Sequence, residues 1–246
     1  MRVFITGGTT GIGLELAKLY LKDGHDVAVC GRDLSKLSSD VSSHPRIRCY
    51  QVDVRVRAEV LMAVRDFSEL GLDLMIANAG RSVGGKTKTP NFEAAIDVMN
   101  VNVMGFLHTF EAALAYMLPV GKGHLVGIAS VAGMVGLPGA SSYSASKSAV
   151  IKFCESLSLD LAHRGIKVTT IVPGFVDTPL TRKNDHSMPF LMSVEQGAAR
   201  IKRAIEAKKV VYIFPLPMKI VMTLLEIMPR FLYRRLMALP MFNYSK

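Results

Sequence analysis

Tyr143 and Lys147 combine the residue types and the spacing that proton transfer requires. They lie four positions apart in a segment whose apolar pattern predicts a helix, so both side chains share one helix face about one turn apart. An ammonium group beside a phenol stabilises the phenolate and lowers the phenol pKa from its usual value of about 10. The pair therefore predicts a site for general acid–base chemistry, although each residue alone could be an ordinary helix side chain.

A glycine-rich loop lies between the first predicted strand and the first predicted helix. Gly7, Gly11 and Gly13 give the spacing GxxxGxG. Glycine reaches the positive φ of a sharp strand-to-helix turn and lets a pyrophosphate approach the amide groups at the helix N-terminus. This context favours dinucleotide binding over a plain turn. A Walker-type site is disfavoured because no Lys-Ser/Thr pair follows the last glycine.

The residues after the second predicted strand bear on the choice of dinucleotide. An NAD site usually has an acidic residue here that binds the ribose 2′-hydroxyl, whereas this chain has Cys30, Gly31 and Arg32. The planar guanidinium of Arg32 can bind a 2′-phosphate, which favours NADP(H) and leaves NAD(H) as the alternative. Arg32 could also be a solvated surface residue, with Asp33 as a helix N-cap or as a competing ribose ligand.

Apolar, β-rich runs alternate with helical patterns along the chain. Strands are predicted at Val3 to Ile5, Asp26 to Cys30, Arg46 to Val52, Leu72 to Ala77, His124 to Ile128, Lys167 to Val172 and Val210 to Phe214. Helices are predicted at Gly11 to Lys22, Val56 to Leu70, Asn91 to Met117, Tyr143 to His163 and Val194 to Ala207. This alternation predicts the α/β class, with a seven-stranded parallel sheet covered by helices on both faces in the doubly wound Rossmann arrangement. We expect one domain, 1–246, with a core at 1–214 and a C-terminal extension at 215–246.

Several motifs in this order together resemble the short-chain dehydrogenase/reductase family. They are the loop at Gly7, Asn78-Ala79-Gly80, Ser130, and Tyr143-Ser144-Ala145-Ser146-Lys147. The resemblance extends to Asp53-Val54, to Asn102 within Val101-Asn102-Val103-Met104-Gly105, and to Pro173-Gly174-Phe175-Val176-Asp177-Thr178. It covers roughly residues 1 to 214, and the order of the motifs makes it specific.

The resemblance implies a role for each matching residue. Tyr143 would donate a proton to a carbonyl oxygen as hydride arrives, and Ser130 would hydrogen-bond the same oxygen. Lys147 would bind the nicotinamide ribose, and Asn102 would hold a water that links Lys147 to solvent. The implied cofactor-binding residues are Gly7, Thr9, Gly11, Ile12, Gly13, Arg32, Asp53, Val54, Asn78, Ala79, Gly80, Tyr143, Lys147, Pro173, Gly174, Val176 and Thr178. The family also implies a homodimer or homotetramer.

Composition excludes several classes of protein. Half of the residues are hydrophobic and 20% are charged, which excludes intrinsic disorder. Three cysteines and six histidines without ligand spacing predict neither disulfides nor a metal site. The start of the chain has no signal-peptide pattern and no run of 18 uncharged apolar residues follows, so we expect a cytoplasmic protein without a membrane span. Of the net charge of +10, +8 falls in residues 200–246, which argues against a nucleic-acid groove across the domain.

The C-terminal extension is the main departure from the family pattern. Residues 216–240 are largely apolar, and their polar positions, Lys219, Thr223, Glu226, Arg230 and Arg234, form a narrow stripe at helical spacing. Pro229 must kink or split the helix. The extension could cover the substrate cleft, pack against a second subunit, or lie on an anionic membrane surface.

The functional hypothesis is an NADP(H)-dependent carbonyl reductase or alcohol dehydrogenase that acts on an apolar substrate. A short segment after strand six, with Phe190, Leu191 and Met192, predicts an apolar wall for that substrate. One alternative is a reductase of 3-oxoacyl thioesters on an acyl carrier protein, whose acidic surface the basic extension would attract. An alternative of another class is an NADP(H)-sensing protein without turnover.

Overall fold

The computed structural model describes residues 1–82, 91–183 and 187–239. Within them, seven strands form one fully parallel sheet in the order β3-β2-β1-β4-β5-β6-β7. The strands are β1 (Arg2–Thr6), β2 (Asp26–Gly31), β3 (Ile47–Gln51), β4 (Leu74–Ala77), β5 (Gly123–Ile128), β6 (Ile166–Pro173) and β7 (Val211–Phe214). The doubly wound prediction is confirmed, and the strand order reverses between β1 and β4, where such sheets bind ligands.

Helices cover both faces of the sheet and enclose two apolar cores. They are α1 (Gly11–Lys22), α2 (Ser39–Ser42), α3 (Arg57–Ser68), α4 (Phe92–Met99), α5 (Gly105–Val120), α6 (Ser141–Asp160), α7 (Val194–Glu206), α8 (Leu216–Ile227) and α9 (Arg230–Met237). Helices α1 and α7 pack together over one face, whereas α3, α5 and α6 cover the other. The site residues lie where strands end and these helices begin.

Helices α4 and α5 are joined by a π-helical turn, Asn100–Met104, so that one continuous helix runs through residues 92–120. This helix is long and apolar enough to cross a membrane by length and composition alone. It instead lies on the sheet, with Phe106 and Phe110 buried in the core. A Cβ at Gly105 would lie 2.6 Å from a methyl group of Val54, so glycine permits this close approach.

The C-terminal extension forms two helices rather than one. Helix α8 ends at Ile227, and Pro229 is the N-cap of α9, as the predicted split at this proline requires. Met218, Met222, Tyr233 and Met237 are buried in the same core as α5 and α6. The extension is therefore part of the folded domain through residue 239; Pro240 lies outside the described residues.

Candidate active site

Tyr143 and Lys147 lie in the first two turns of α6. The Lys147 side chain is buried, and its Nζ donates a hydrogen bond to the Ile128 carbonyl at 2.8 Å. Nζ lies 5.9 Å from the centre of the Tyr143 ring. Helix α6 thus places the ammonium group beside the ring, while the end of β5 holds that group in position.

Ser130 brings a hydroxyl to the Tyr143 phenol from the loop that follows β5. It begins a short 3₁₀ turn, Val131–Gly133, and its Oγ accepts a hydrogen bond from the Ala132 amide at 3.2 Å. The Ser130 side chain also lies near the Tyr143 phenol, where it favours the phenolate and acts to lower the phenol pKa. The two hydroxyl groups are therefore adjacent, as a shared contact with one substrate oxygen would require.

The electrostatics of the pair differ from the sequence expectation. Burial raises the pKa of Tyr143 above its usual value, and the nearby Ser130 side chain only partly offsets this. Burial also lowers the pKa of Lys147 to about 8. The expected lowering of the Tyr143 pKa by Lys147 is absent because desolvation of the phenolate is the larger effect in the protein alone.

A close backbone contact fixes the Ser130 loop against α6. A Cβ at Gly133 would lie 2.6 Å from the backbone carbonyl carbon of Lys147, which is closer than real Cβ atoms approach. Only glycine fits here, so Gly133 sets the distance between the serine loop and the tyrosine helix.

Asn102 is buried in the π-helical turn, and both N–H groups of its side-chain amide and one acceptor site of its oxygen are bonded to protein. Its Nδ2 donates to the Arg81 carbonyl and to Ser146 Oγ, both at 2.9 Å, and its Oδ1 accepts from the Arg81 amide at 2.7 Å. Ser146 Oγ in turn donates to the Tyr143 carbonyl. Asn102 therefore connects the segment after β4 to α6.

Gly80 lies between Asn102 and Lys147. A Cβ there would be 3.5 Å from Lys147 Nζ and 3.6 Å from Asn102 Oδ1. The two polar groups thus border the same small space, which is where the proposed water between them would lie.

The glycine loop has the geometry that its spacing predicts. Gly7 and Gly11 have φ of +64° and +57°. A Cβ at Gly7 would lie 2.7 Å from Ala79 Cα, and one at Gly13 would lie 2.4 Å from the Gly7 carbonyl. The side-chain amide of Asn78 stabilises the loop by donating hydrogen bonds to the Thr6 and Gly7 carbonyls at 3.1 and 2.9 Å. These glycines therefore allow the tight turn from β1 into α1 that a pyrophosphate site at a helix N-terminus uses.

Arg32 projects from the end of β2 into solvent, and nothing in the described ranges hydrogen-bonds its guanidinium. The Asp33 carboxylate instead accepts from the amide and hydroxyl of Ser35, as the N-cap of a short 3₁₀ turn. Asp53, after β3, is bound by Arg55, which together with the charge of Arg32 holds the pKa of that carboxyl below its usual value. Near the expected position of the ribose 2′-group, Arg32 therefore has no hydrogen-bond partner among the described residues, whereas the carboxylates of Asp33 and Asp53 are already bonded.

The segment after β6 approaches the glycine loop. A Cβ at Gly11 would lie 3.3 Å from the Thr178 side chain. Val176 is buried and pairs with Met192, and Thr178 hydrogen-bonds Thr181. At the start of the segment, a Cβ at Gly174 would meet Pro215 at 3.1 Å and Met218 at 3.3 Å. The residues 173–178 thus lie between the glycine loop and the C-terminal extension.

The described residues include the sites that sequence reasoning expected. Most of them follow the carboxyl ends of β1 to β6 along one edge of the sheet, whereas Asn102, Tyr143 and Lys147 lie in helices. A model of the short chain dehydrogenase family matches residues 1–189. An uncharacterized oxidoreductase of Myxococcus xanthus is 34% identical over 93% of both chains. The chain belongs to the short-chain dehydrogenase family. It is accordingly an NAD(P)-dependent oxidoreductase.

Solved structures of other short-chain dehydrogenases share the fold. One from Burkholderia cenocepacia, in complex with NADP, is 25% identical with a TM-score of 0.84, and the match covers 97% of this chain and 98% of that one. One from Sphingobium yanoikuyae, in complex with NADPH, is 25% identical with a TM-score of 0.80, covering 87% and 88%. An uncharacterized oxidoreductase of Staphylococcus aureus is 35% identical over 72% of this chain and 78% of its own.

The residues present fit a dinucleotide cofactor. A Cβ at Gly7 or Gly13 would clash with Ala79 or with the Gly7 carbonyl, so these glycines let the loop fold tightly beside the N-terminus of α1, where a pyrophosphate would bind, and Arg32 is an exposed cation at the end of β2. No group of three metal-ligating side chains occurs in the parts of the chain that the structure describes. The cysteines are free thiols.

Sequence reasoning missed several residues that hold this short-chain dehydrogenase site together. They are Arg81, Gly133, Ser146 and Thr181. Gly133 and Ser146 act through a close backbone approach and a bridging hydroxyl, which leave no periodic signal. Arg81 follows the Asn78-Ala79-Gly80 turn directly, so its position was the available clue.

Proposed function

We propose that this short-chain dehydrogenase interconverts a ketone and a secondary alcohol on an apolar substrate, with NADP(H) as cofactor. The observation that carries the proposal is the buried Lys147 ammonium 5.9 Å from the centre of the Tyr143 ring, with Ser130 near the same phenol. A protein that only sensed the nucleotide would have no use for a half-buried proton donor between a cation and a second hydroxyl.

NADP(H) is the preferred cofactor. Solved relatives are complexes with NADP or NADPH. In this chain the free guanidinium of Arg32 can bind the 2′-phosphate, whereas Asp33 is engaged by Ser35 and does not offer its carboxylate to a 2′-hydroxyl.

In the proposed mechanism, Tyr143, Ser130 and Lys147 have different roles. NADPH, when held by the glycine loop, Arg32 and Lys147, would supply the hydride. Tyr143 donates its phenol proton to the carbonyl oxygen, and its raised pKa keeps that proton in place at neutral pH. Ser130 donates to the same oxygen and orients it. Lys147, with a pKa of about 8, is mostly charged at pH 7, and its bond to Ile128 leaves two N–H groups for the nicotinamide ribose.

The C-terminal extension forms one side of the substrate region in this proposal. Helix α8 packs on the 3₁₀ turn after Ser130, and the Tyr233 hydroxyl donates to the Gly136 carbonyl. On the other side, Phe190 and Leu191 are exposed, whereas Met192 is buried in the core below Val176. The apolar wall therefore consists of Phe190 and Leu191 without Met192, facing a mouth bordered by the extension.

A homodimer, or a homotetramer built from it, is part of the proposal. An open groove of about 780 Å³ runs between α5 and α6, outside the catalytic residues. Its apolar lining is Met104, Leu107, Leu114, Leu118, Phe153 and Leu157. A second copy that brings the same face would bury this lining, as two-fold symmetry allows. The proposed location is cytoplasmic.

The test is NADPH oxidation over a panel of ketones of graded chain length, together with one 3-oxoacyl substrate linked to an acyl carrier protein. Turnover that improves with apolar chain length is expected. Preference for the carrier-linked substrate would instead support a thioester reductase. In that case the acidic carrier protein would dock on the basic extension.

Tyr143→Phe is the matched variant, because it removes one hydroxyl and keeps the ring. We expect at least a 100-fold lower kcat, the loss typical of an absent general acid, with NADPH affinity unchanged. Turnover close to that of the wild type would reject the mechanism. NADPH binding without turnover by the wild type on every substrate would favour the sensor.

A further inference from the structure

The extension presents a second apolar surface that faces away from the protein. Along α8, the residues 218, 222 and 225 point into the core, and on the opposite side of the helix lie Leu216, Ile220, Leu224 and Ile227. These four side chains are 64%, 53%, 55% and 73% exposed. A surface helix of a protein dissolved in water normally turns polar residues to this side. We call this surface, with Phe231 and Leu232 of α9, the outer face.

Cations border the outer face. Helix α9 continues it with Phe231, which is 64% exposed, and places Arg235 one turn further along the same side. Lys219, Arg230 and Arg234 are exposed at its margins, and Glu226 is the acid among the described residues of α8 and α9. Four cations against one acid around an apolar strip complement a negatively charged surface that also has an apolar interior.

The outer face differs from the groove proposed for self-association. Phe153 and Leu157 turn one side of α6 toward α5 and the groove. Lys152, one position earlier on α6, instead lies near Glu226 of α8. Adjacent residues of a helix lie about 100° apart, so the groove and the extension adjoin different sides of α6.

We propose that the outer face of α8 and α9 docks this protein on anionic lipid membranes. Leu216, Ile220, Leu224, Ile227 and Phe231 enter the boundary between headgroups and acyl chains, and the neighbouring Arg and Lys side chains bind lipid phosphates. The two helices lie in the plane of the interface, since neither is long enough to span a bilayer. The extension then serves two partners: its inner face packs on the domain, and its outer face contacts lipid.

The experiment is sedimentation of the full-length protein with vesicles of phosphatidylcholine alone or of equal parts phosphatidylcholine and phosphatidylglycerol. We expect the protein to sediment with the anionic vesicles, to stay in solution with the neutral ones, and to be released by added salt. Sedimentation with neither kind of vesicle would overturn the proposal.

Point variants test which surface is responsible. Ile220→Asp should abolish sedimentation, and Arg234→Gln or Arg235→Gln should each weaken partition roughly fivefold. The matched controls are Leu159→Asp and Lys122→Gln. Leu159 is 72% exposed on α6, and Lys122 is an exposed cation after α5. The controls should sediment like the wild type.

Each variant is first checked for an unchanged melting temperature and NADPH affinity, so that misfolding is separated from lost docking. If Ile220→Asp sediments like the wild type, the outer face is not the docking surface. If Ile220→Asp lowers the mass of the protein in solution while the wild type ignores vesicles, a second copy covers the face and the membrane proposal fails.

Discussion

Lys147 illustrates how the site costs stability at the scale of one residue. The fold buries its ammonium group and lowers the pKa to about 8, whereas the side chain keeps its ordinary pKa of 10.5 in the unfolded chain. Between these values the unfolded state binds more protons than the folded state, so the free energy of unfolding rises with pH through this window. Below it the full penalty of burying a charge remains. Burial of Lys147 therefore lowers the stability of the fold at neutral pH.

The stability of Lys147→Met should show this penalty directly. Relative to the variant, the wild type should gain up to about 1.4 kcal/mol of unfolding free energy per pH unit between about pH 8 and 10. Denaturant unfolding of both proteins at a series of pH values measures the difference, in which other titrating groups cancel. A difference that stays constant with pH would show that Lys147 is not desolvated in the folded protein.

Arg32 tests cofactor choice at the same scale. Because its guanidinium has no partner in the described structure, Arg32→Ala removes little from the fold. It should weaken NADPH binding about 10- to 100-fold and leave NADH binding nearly unchanged, as loss of a charge-assisted contact predicts. Titration of both cofactors by fluorescence measures this.

Arg46→Ala is the control for Arg32, since Arg46 is an exposed arginine at the opposite end of the sheet, bonded to the Gly24 carbonyl. Its cofactor affinities should match those of the wild type. Equal losses of NADPH and NADH in Arg32→Ala would mean that Arg32 acts on the loop and not on the phosphate.

At the scale of elements, sequence patterns predict the sheet well because the central strands are largely apolar and buried. The strand ends shift by no more than two residues from the predicted ones. The π-helical turn at Asn100–Met104 could not be predicted, because hydrophobic periodicity does not distinguish a five-residue hydrogen-bond pattern inside a helix. The turn matters to the site, since it carries Asn102 toward Arg81 and Ser146.

The packing of the C-terminal extension could not be predicted from the sequence. Its apolar residues could have faced a cleft, a subunit or a membrane, and periodicity alone cannot choose among them. Burial of Met218, Met222 and Tyr233 shows that one face completes the domain core. Deleting the extension would therefore expose that core, so single substitutions report on its function more cleanly.

Tyr233→Phe is such a substitution. It removes the hydroxyl that donates to the Gly136 carbonyl, in the loop that begins at Ser130. We expect a loss of about 1 kcal/mol in the free energy of unfolding and a severalfold higher KM for apolar ketones, with NADPH affinity unchanged. Steady-state kinetics and denaturant unfolding measure the two effects.

Tyr212→Phe controls for Tyr233→Phe, because Tyr212 lies on β7 and contacts Lys209 through its ring. Its KM should equal that of the wild type. An unchanged KM in Tyr233→Phe, for every apolar ketone tested, would place the extension outside the substrate region.

At the scale of the whole molecule, the apolar surface of the chain exceeds what one domain needs. One apolar surface is the groove between α5 and α6, and another is the outer face of α8 and α9. Four cations against one acid lie on the helices of the second surface, whereas the groove is bordered by the salt-bridged pair Arg57 and Glu111. The neutral apolar groove suits a second copy of the same chain, whereas the outer face, with its cations, suits an anionic partner.

Phe153→Asp tests self-association through the groove. Phe153 lies 41% exposed on α6 and packs edge-on against Phe106, so a carboxylate there would be buried unpaired if a second copy covered it. We expect light scattering to give half the wild-type mass for a dimer, while the melting temperature changes little. Leu159→Asp, on the same helix outside the groove, should keep the wild-type mass. A monomeric wild type would exclude the groove as the subunit contact. So would a Phe153→Asp variant of unchanged mass, because a contact across the groove would bury the new carboxylate without a partner and lose affinity.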